Sequence, residues 1–587
     1  MATVEIVAIF TLCLFRCLLA SANFKMVPQC KVFCDGPLLH AIQTSNIFKD
    51  SKDFVDMPLI KSAEATMADF EALPNKTDPH ALREFLAAHF LKPGTELESC
   101  HPEDFVKLPR SFHSIRDPVY REWAHQIHGK WRSLCRRVKP TVAANPSRYS
   151  LIPVPHAFIA PGGRFREFYY WDTYWIVKGL LASEMYTSAK NMIRNLAHMV
   201  HRFGFVPNGG RIYYLHRTQP PLLPLCVSAY VDATGDEAFL TEMLPALAKE
   251  QEFWRRERGV AHKPEPDQSE VFHLFQYRVN AESPRPESYK EDLETAEHQP
   301  SDGAKRQLWS DIAAACESGW DFSSRWINRT SGEGAAATGD LRRIQTSRII
   351  PVDLNAFVCG NERLLADMYD RVGNASQAAN HRAEFHSMRH AIHRSFWDQA
   401  AGTWSDLEMN RETGEATQTR HFYISNPTPL FTGCAQQQDA GRKVLAYLDR
   451  IGATAFPGGL PTSFEWSGQQ WDSPNGWAPT NHMVIEGLRK AAEETKDDGL
   501  ADAAFRLADR WIQTNYFVWA RSAGKMFEKY DVESEKSQAG GGGEYEVQEG
   551  FGWSNGVILD LLLTYGDRLR APITHSFHFA KNNQRKF

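Results

Sequence analysis

The feature that most limits what this chain can fold into is a succession of apolar stripes at helical spacing. Asp172 to Phe203, Phe239 to Arg256, Asn355 to Arg371, Ala378 to Trp397, His482 to Glu494 and Leu500 to Phe517 each place apolar side chains three or four residues apart. In the last of these, Leu500, Ala504, Leu507 and Trp511 fall on one stripe. Period-two alternation is scarce; Arg211–Leu215 and Thr403–Met409 are the short strand candidates. Breakers such as Asp398, Gly402 and Gly452 divide the helices into pairs. Lys263 to Asp302, rich in Pro, Glu and Ser, and Ser534 to Gly543, ending in four glycines, read as solvated linkers or as substrate loops. At about 150 residues per domain, a length of 587 suggests about four domains. Composition nevertheless shifts nowhere sharply enough to mark a boundary. Helical hairpins over this length predict one all-α domain: a closed double ring of helices with loops gathered at one end of a cavity.

Composition narrows the function classes. With 66 Lys+Arg against 71 Asp+Glu the net charge is −5, which argues against a chain built to neutralise phosphates, so no nucleic-acid partner is expected. The 16 Trp exceed what a core obviously needs; most are expected to pack, and some to stack on a ligand. Ile6 to Ala20 is mostly apolar, and Ala20-Ser21-Ala22 has the small-x-small form of a cleavage site. Residues 1–22 therefore read as a secretory signal peptide, leaving 23–587 as a single folded domain. Arg16 interrupts the run and no basic residue precedes it, so a signal anchor is the competing reading. The polar His575 to Phe587 gives no lipid-anchor signal, and no stable membrane anchor is expected. An oxidising route permits disulfides among Cys30, Cys34, Cys100, Cys135, Cys226, Cys316, Cys359 and Cys434. Spacing assigns no pairing; Cys30 and Cys34 could close a small loop, and several others sit in helix-like runs that suit buried thiols. Asn75, Asn328 and Asn374 are glycosylation sequons. The residues assign no oligomeric state.

Four dense islands could carry chemistry. Pro161–Trp175 (PGGRFREFYYWDTYW) sets Arg164, Glu167 and Asp172 among seven aromatic side chains. Sugar faces stack on aromatic rings while Arg and carboxylates bond hydroxyls, so this suits a sugar pocket; a buried salt bridge under rings would look the same. Val206–Pro221 offers Asn208, Arg217 and Gln219 beside Tyr213 and Tyr214, and Arg285-Pro286-Glu287 could add a cation and an acceptor. A surface turn is the plainer account of either. Cys316–Trp326 (CESGWDFSSRW) holds Glu317 and Asp321 four apart, on one helix face unless Gly319 breaks it. Asp321, flanked by Trp320 and Phe322, is a candidate for a raised pKa, or else an ion-pair partner of Arg325. Met526–Gly556 brings Glu528, Asp531, Glu544 and Glu549 around the glycines, which suit a mobile flap. Gln470–Pro479 (QWDSPNGWAP) adds another Trp-Asp-Trp turn.

Glycoside hydrolysis needs one protonated carboxyl for the leaving oxygen and one carboxylate for water or the sugar. Carboxylates from separate segments around an aromatic, arginine-lined pocket meet that need. No Gly-x-Ser-x-Gly elbow, Walker loop or His-Glu-x-x-His motif competes. The islands together resemble the trehalases, inverting glycoside hydrolases that split α,α-trehalose into glucose. PGGRFREFYYWDTYW and QWDSPNGWAP are similar to that family's two signature stretches, Asp35–Pro58 to its N-terminal region, and GGGGEYEVQEGFGWSNG to its glycine-rich motif.

The resemblance implies an (α/α)6 barrel with long active-site loops and little β-structure. It implies Asp321 as general acid and Glu528 as general base, with no metal or organic cofactor and with trehalose and water as the partners. It further implies substrate contacts from Arg164, Trp171, Asp172, Asn208, Arg217, Thr218, Gln219, Arg285, Glu287, Gly319 and Glu544. Thr218 stands where relatives often have Ser. Asp321 is expected to hold its proton through burial against Trp320. The competing readings are another disaccharide glycosidase or phosphorylase on a helical toroid, and a sugar-binding protein without turnover.

Overall fold

The computed structural model describes residues 30–264, 270–328, 338–410 and 412–572. The leader at 1–22, the tail at 575–587 and the end of the Asn328 sequon lie outside the described residues. Twelve helices among them form two concentric rings: α1 (Pro118–Leu134), α2 (Asp172–Ala182), α3 (Tyr186–Phe203), α4 (Leu223–Thr234), α5 (Glu237–Arg258), α6 (Val352–Arg371), α7 (Ala375–Phe396), α8 (Thr428–Thr432), α9 (Ala440–Arg450), α10 (Ala478–Thr495), α11 (Asp498–Arg521) and α12 (Gly552–Thr564). The even-numbered helices touch in sequence, α2 to α4 to α6 to α8 to α10 to α12, and α12 packs against α2 to close the inner ring. The odd-numbered helices lie outside, each against inner neighbours.

Local chemistry explains the boundaries. Asp117 caps α1, accepting from the Val119 and Tyr120 N–H groups, and Pro118 takes the first helical position. Asp236 and Asp497 cap α5 and α11 in the same way. Helix α3 stops at Gly204, which takes the left-handed conformation. Inner helices are buried all round, as Val557, Ile558, Leu559, Leu561 and Leu562 of α12 show, whereas α3 buries one stripe of Ala189, Met192, Ile193, Leu196 and Val200. The closure of α12 on α2 depends on glycines: a Cβ at Gly556 would stand 1.9 Å from the Trp175 carbonyl oxygen, and one at Gly179 2.5 Å from the Gly556 Cα.

Several expectations from the sequence are corrected. Asp172 to Phe203 is not one helix. It breaks at Ser183–Met185 into α2 and α3, with Glu184 in the left-handed region and its carboxylate accepting from the Arg110 and Ser111 N–H groups. Arg211–Leu215 is no strand but contains a 3-10 turn, Ile212–Tyr214. Buried carboxylates set its course, because Arg211 meets Glu96, Asp56 and Glu167 and the Tyr213 hydroxyl donates to Asp56. Thr403–Met409 splits into two short strands in different sheets. Within Lys263–Asp302 lie a strand, Phe272–Phe275, paired with Gly259–His262, and a helix, Tyr289–Ala296. Cys30–Cys34, Cys100–Cys135 and Cys359–Cys434 are disulfides, while Cys226 and Cys316 are buried thiols.

Inner-to-outer turns are short, as at 183–185, 235–236 and 496–497, whereas outer-to-inner connections are long, as at 135–171, 259–351 and 522–551. The long ones carry the site. The last of them includes strand β2 (Lys529–Asp531), which pairs with β1 (Asn475–Trp477) before α10 and with β3 (Gln538–Ala539). Short N-terminal helices pack over the same end. Lys52, Asp56, Glu96, Glu167 and Arg211 form a fully buried ion network there, with Lys52 Nζ 2.8 Å from Glu167 and Arg211 Nη2 2.9 Å from Glu96. Glu167 is thus the buried salt bridge that the first island could have been, while its neighbours Arg164 and Asp172 face elsewhere.

Candidate active site

The long loops line a pocket at the mouth of the barrel with about 650 Å³ of empty space, part of it open to solvent. Arg164 and Trp171 reach it from the loop before α2, and Asp172 from the first turn of that helix. Asn208, Arg217 and Gln219 come from the loop before α4. Arg285, Glu287, Gly319 and Asp321 come from the connection before α6, and Glu528 and Glu544 from that before α12. Twelve of the thirteen residues singled out in the sequence therefore line one space. Thr218 does not; it is fully buried behind the wall, its hydroxyl donating to the Val206 carbonyl and its N–H to Glu317.

The floor is aromatic. Trp471 and Trp477 stack with centroids 3.9 Å apart and planes 1° apart, and Trp171 and Trp553 meet them. Trp320, expected to desolvate Asp321, is not in the lining but stacks behind Trp471 at 5.2 Å. Gly319 lets Trp171 lie flat against the backbone: its φ is +78°, and a Cβ there would stand 2.7 Å from the indole. The left-handed Gly319 also ends the preceding helix at Glu317, so Glu317 and Asp321 share no face. Glu317 is buried and pairs with Arg258, and Arg325 pairs with Asp353 and Asp406 rather than with Asp321.

Each arginine of the cavity is held by a carboxylate. Asp50, the N-cap of Ser51–Val55, takes Arg164 in a two-pronged bond of 2.7 and 2.8 Å. Arg217 donates to Glu287 at 2.6 Å and to Asn208 at 2.8 Å. Arg285 is gripped by Asp292 and reaches Glu544 at 3.0 Å, and Glu544 also accepts from the Ser288 hydroxyl. Burial opposes the ionisation of Glu287, but Arg217 and Arg285 outweigh it and hold its pKa below the usual range.

Three carboxyls of the cavity stand apart from these arginine pairs. Asp321 has no ion-pair partner among the described residues; burial pushes its pKa up to about 7 against the partial pull of Arg285. Glu528 is 2% exposed, and burial raises its pKa against Lys529 and the Tyr545 hydroxyl. Asp172 is also raised well above the ordinary range by burial, with repulsion from Glu528 and Asp321 adding to it. One acid of the set is thus poised to keep a proton near neutrality while another has local support for its charge. Of the remaining acids of the fourth island, Asp531 accepts from backbone N–H groups of its own turn and Glu549 pairs with Lys525, both away from the cavity. Among the described residues no cluster of His, Cys, Asp and Glu could hold a metal ion.

Sequence reasoning missed several lining residues: Phe165, Tyr169, Ser288, Cys316, Tyr545, Phe551 and Trp553. Tyr545, Phe551 and Trp553 lie inside the glycine-rich island, interleaved with its acids. Their signal was density of rings beside glycine, which does not say which ring faces the cavity.

Comparison with known proteins accounts for this arrangement. The family model described as Trehalase matches residues 46–566. The trehalase of Homo sapiens is 43% identical over 94% of this chain and 92% of its own length, and that of Apis mellifera 41% over 95% and 88%. Among solved structures, the neutral trehalase Nth1 from Saccharomyces cerevisiae shares the fold at TM-score 0.53, with 22% identity over 69% of this chain and 73% of that one. With twelve alternating helices, an aromatic cavity set with paired carboxyls, and a match across nearly the whole described length, the chain belongs to the trehalase family.

Proposed function

We propose that this protein is an α,α-trehalase, a glycoside hydrolase that splits trehalose into two glucose molecules with inversion. Asp321 protonates the oxygen joining the sugars, and Glu528 takes a proton from the water that attacks the opposite face of the ring. The observation that carries this reading is the cavity shared by Asp321 and Glu528, two carboxyls from separate loops that no arginine neutralises, in a chain of this family. The raised pKa of Asp321 supports the acid's role, since an acid catalyst must hold its proton at the working pH. Arg164, Trp171, Asp172, Asn208, Arg217, Gln219, Arg285, Glu287, Gly319 and Glu544 contact the disaccharide. Thr218 acts from behind by fixing the backbone between Arg217 and Gln219. The reaction so drawn needs only trehalose and water. Because Arg164, Arg217 and Arg285 are each already neutralised by a carboxylate, the cavity suits hydroxyls better than phosphate, which favours hydrolysis over phosphorolysis.

The same reading extends to the compartment. Residues 1–22 direct secretion, with cleavage near Ala22, and 23–587 form one catalytic domain. Three disulfides support an oxidising route, and the sequon residues Asn75 and Asn374 are exposed, as glycan attachment requires. No helix among the described residues is long and apolar enough to cross a membrane. The decisive assay incubates purified protein with trehalose, maltose and sucrose and follows the released anomer by NMR. Equal early α- and β-glucose from trehalose supports inversion; early release of α-glucose alone, or no turnover, refutes the mechanism.

A further inference from the structure

The base carboxylate is held asymmetrically. Glu528 Oε1 accepts from the Tyr545 hydroxyl at 2.8 Å, whereas Oε2 has no hydrogen-bond partner among the described residues and sits 3.9 Å from Lys529 Nζ. The backbone of Glu528 is already fixed, its N–H donating to the Gln548 carbonyl and its carbonyl accepting from Trp553 Nε1. What remains free is rotation of the carboxyl, and Tyr545 is the group that stops it.

Tyr545 is itself placed by the glycine-rich segment. Gly540 and Gly543 donate to the Lys529 and Gly468 carbonyls, and Gly541 bonds both ways with Asn475. Next to it, Glu544 is pinned by Arg285 and Ser288. The Tyr545 ring lies 4.7 Å from the Arg164 guanidinium, which Asp50 holds from the far side, and packs edge-on to Phe165. A hydroxyl on a ring clamped this way is a fixed donor.

We propose that Tyr545 is a positioning residue for the hydrolytic step: by holding Oε1 it fixes the orientation of the Glu528 carboxylate toward the attacking water, and it ties the competence of Glu528 to the seated position of the glycine-rich segment. This rests on the reading of Glu528 as the base. The bond also favours the charged form of Glu528, which helps the base stay ionised at a buried site. The charged groups facing Glu528 are the adjacent Lys529, Arg164 from the loop before α2, Asp172 from the first turn of α2, and Asp321 across the cavity. Burial and the neighbouring carboxylates keep the Tyr545 hydroxyl protonated, so it remains a donor across the working range.

The test is Tyr545→Phe, which keeps the ring and its contacts with Arg164 and Phe165 while deleting the donor. Loss of one such bond should lower kcat about tenfold with KM changed less than about twofold. The acid limb of the kcat profile should move to higher pH, which a merely structural role would not produce. The same loss should persist with α-glucosyl fluoride, whose leaving group needs no proton, because the defect lies on the base side. Unchanged kcat and an unmoved acid limb, with thermal stability intact, would overturn the proposal. Glu528→Gln assayed in parallel separates the two readings: if that variant is inactive while Tyr545→Phe behaves as wild type, only the role of Tyr545 falls. If Glu528→Gln keeps near-normal turnover, the base assignment itself falls.

Discussion

Replacing Asp321 with Asn should do opposite things to catalysis and to stability. Folding raises the pKa of this carboxyl from 3.8 to about 7, with burial as the main cause. The folded state therefore binds the proton more tightly than the unfolded state. Below pH 3.8 both states carry the proton and nothing is lost; between about pH 4 and pH 7 the unfolded chain releases it first, so stability falls as pH rises. Above pH 7 the loss is complete at about 4 kcal/mol, an upper figure because the carboxyl is half-buried against a cavity rather than sealed. Asparagine has no such proton. The variant's stability relative to wild type should thus improve by about 4 kcal/mol between pH 4 and pH 8, whatever the packing change at each pH alone. For a domain of this size that is about 4 °C in thermal midpoint. Removing the charge also relieves Asp172, which acts in the same direction. The assay is a pair of melting curves at pH 4 and pH 8 for both proteins, with trehalose turnover measured alongside. Turnover should fall about 10²–10⁴-fold, the usual contribution of a positioned acid. A variant whose melting advantage is the same at both pH values refutes the burial argument, and one that retains turnover refutes the acid's role.

Three further outcomes are expected. The kcat profile should decline above about pH 7 as Asp321 loses its proton, and fall on the acid side as Glu528 gains one; a rate still rising at pH 9 would contradict the roles. Gly319→Ala should strain a left-handed backbone and push into Trp171, costing about 1–3 kcal/mol of stability and most activity; a variant with wild-type melting would show the contact to be compliant. Asp50→Asn should free the Arg164 guanidinium and raise KM about tenfold with a smaller change in kcat, which steady-state kinetics on trehalose would check.

The legible part of the site was its chemistry at short range. The first island advertised both a sugar pocket and a buried salt bridge, and both are present: Arg164 and Asp172 face the cavity while Glu167, between them in sequence, serves the buried ion network. Spacing could not divide them, because the irregular loop before α2 has no fixed period. Arg211–Leu215 alternated like a strand but was drawn into a turn by carboxylates at Asp56, Glu96 and Glu167, distant in sequence. The corner at Ser183–Met185 was invisible for a related reason. Inner helix α2 is buried over most of its surface, so its apolar residues run into the stripe of α3 without a break, and only the left-handed Glu184 marks the turn.

What the sequence by itself determined is the all-helical class and many of the residues that meet in the cavity. Helical periodicity is a local property, and rings, arginines and acids cluster within single loops. Tertiary structure alone decided which acid lost its partner and which kept one. Asp321 is raised because the loops bury it without an ion-pair partner, and Glu287 is lowered because Arg217 and Arg285 outweigh its burial. A carboxyl's proton depends on burial and on charges a few ångströms away, and the closing of the ring brings those charges together from loops separated by up to several hundred residues.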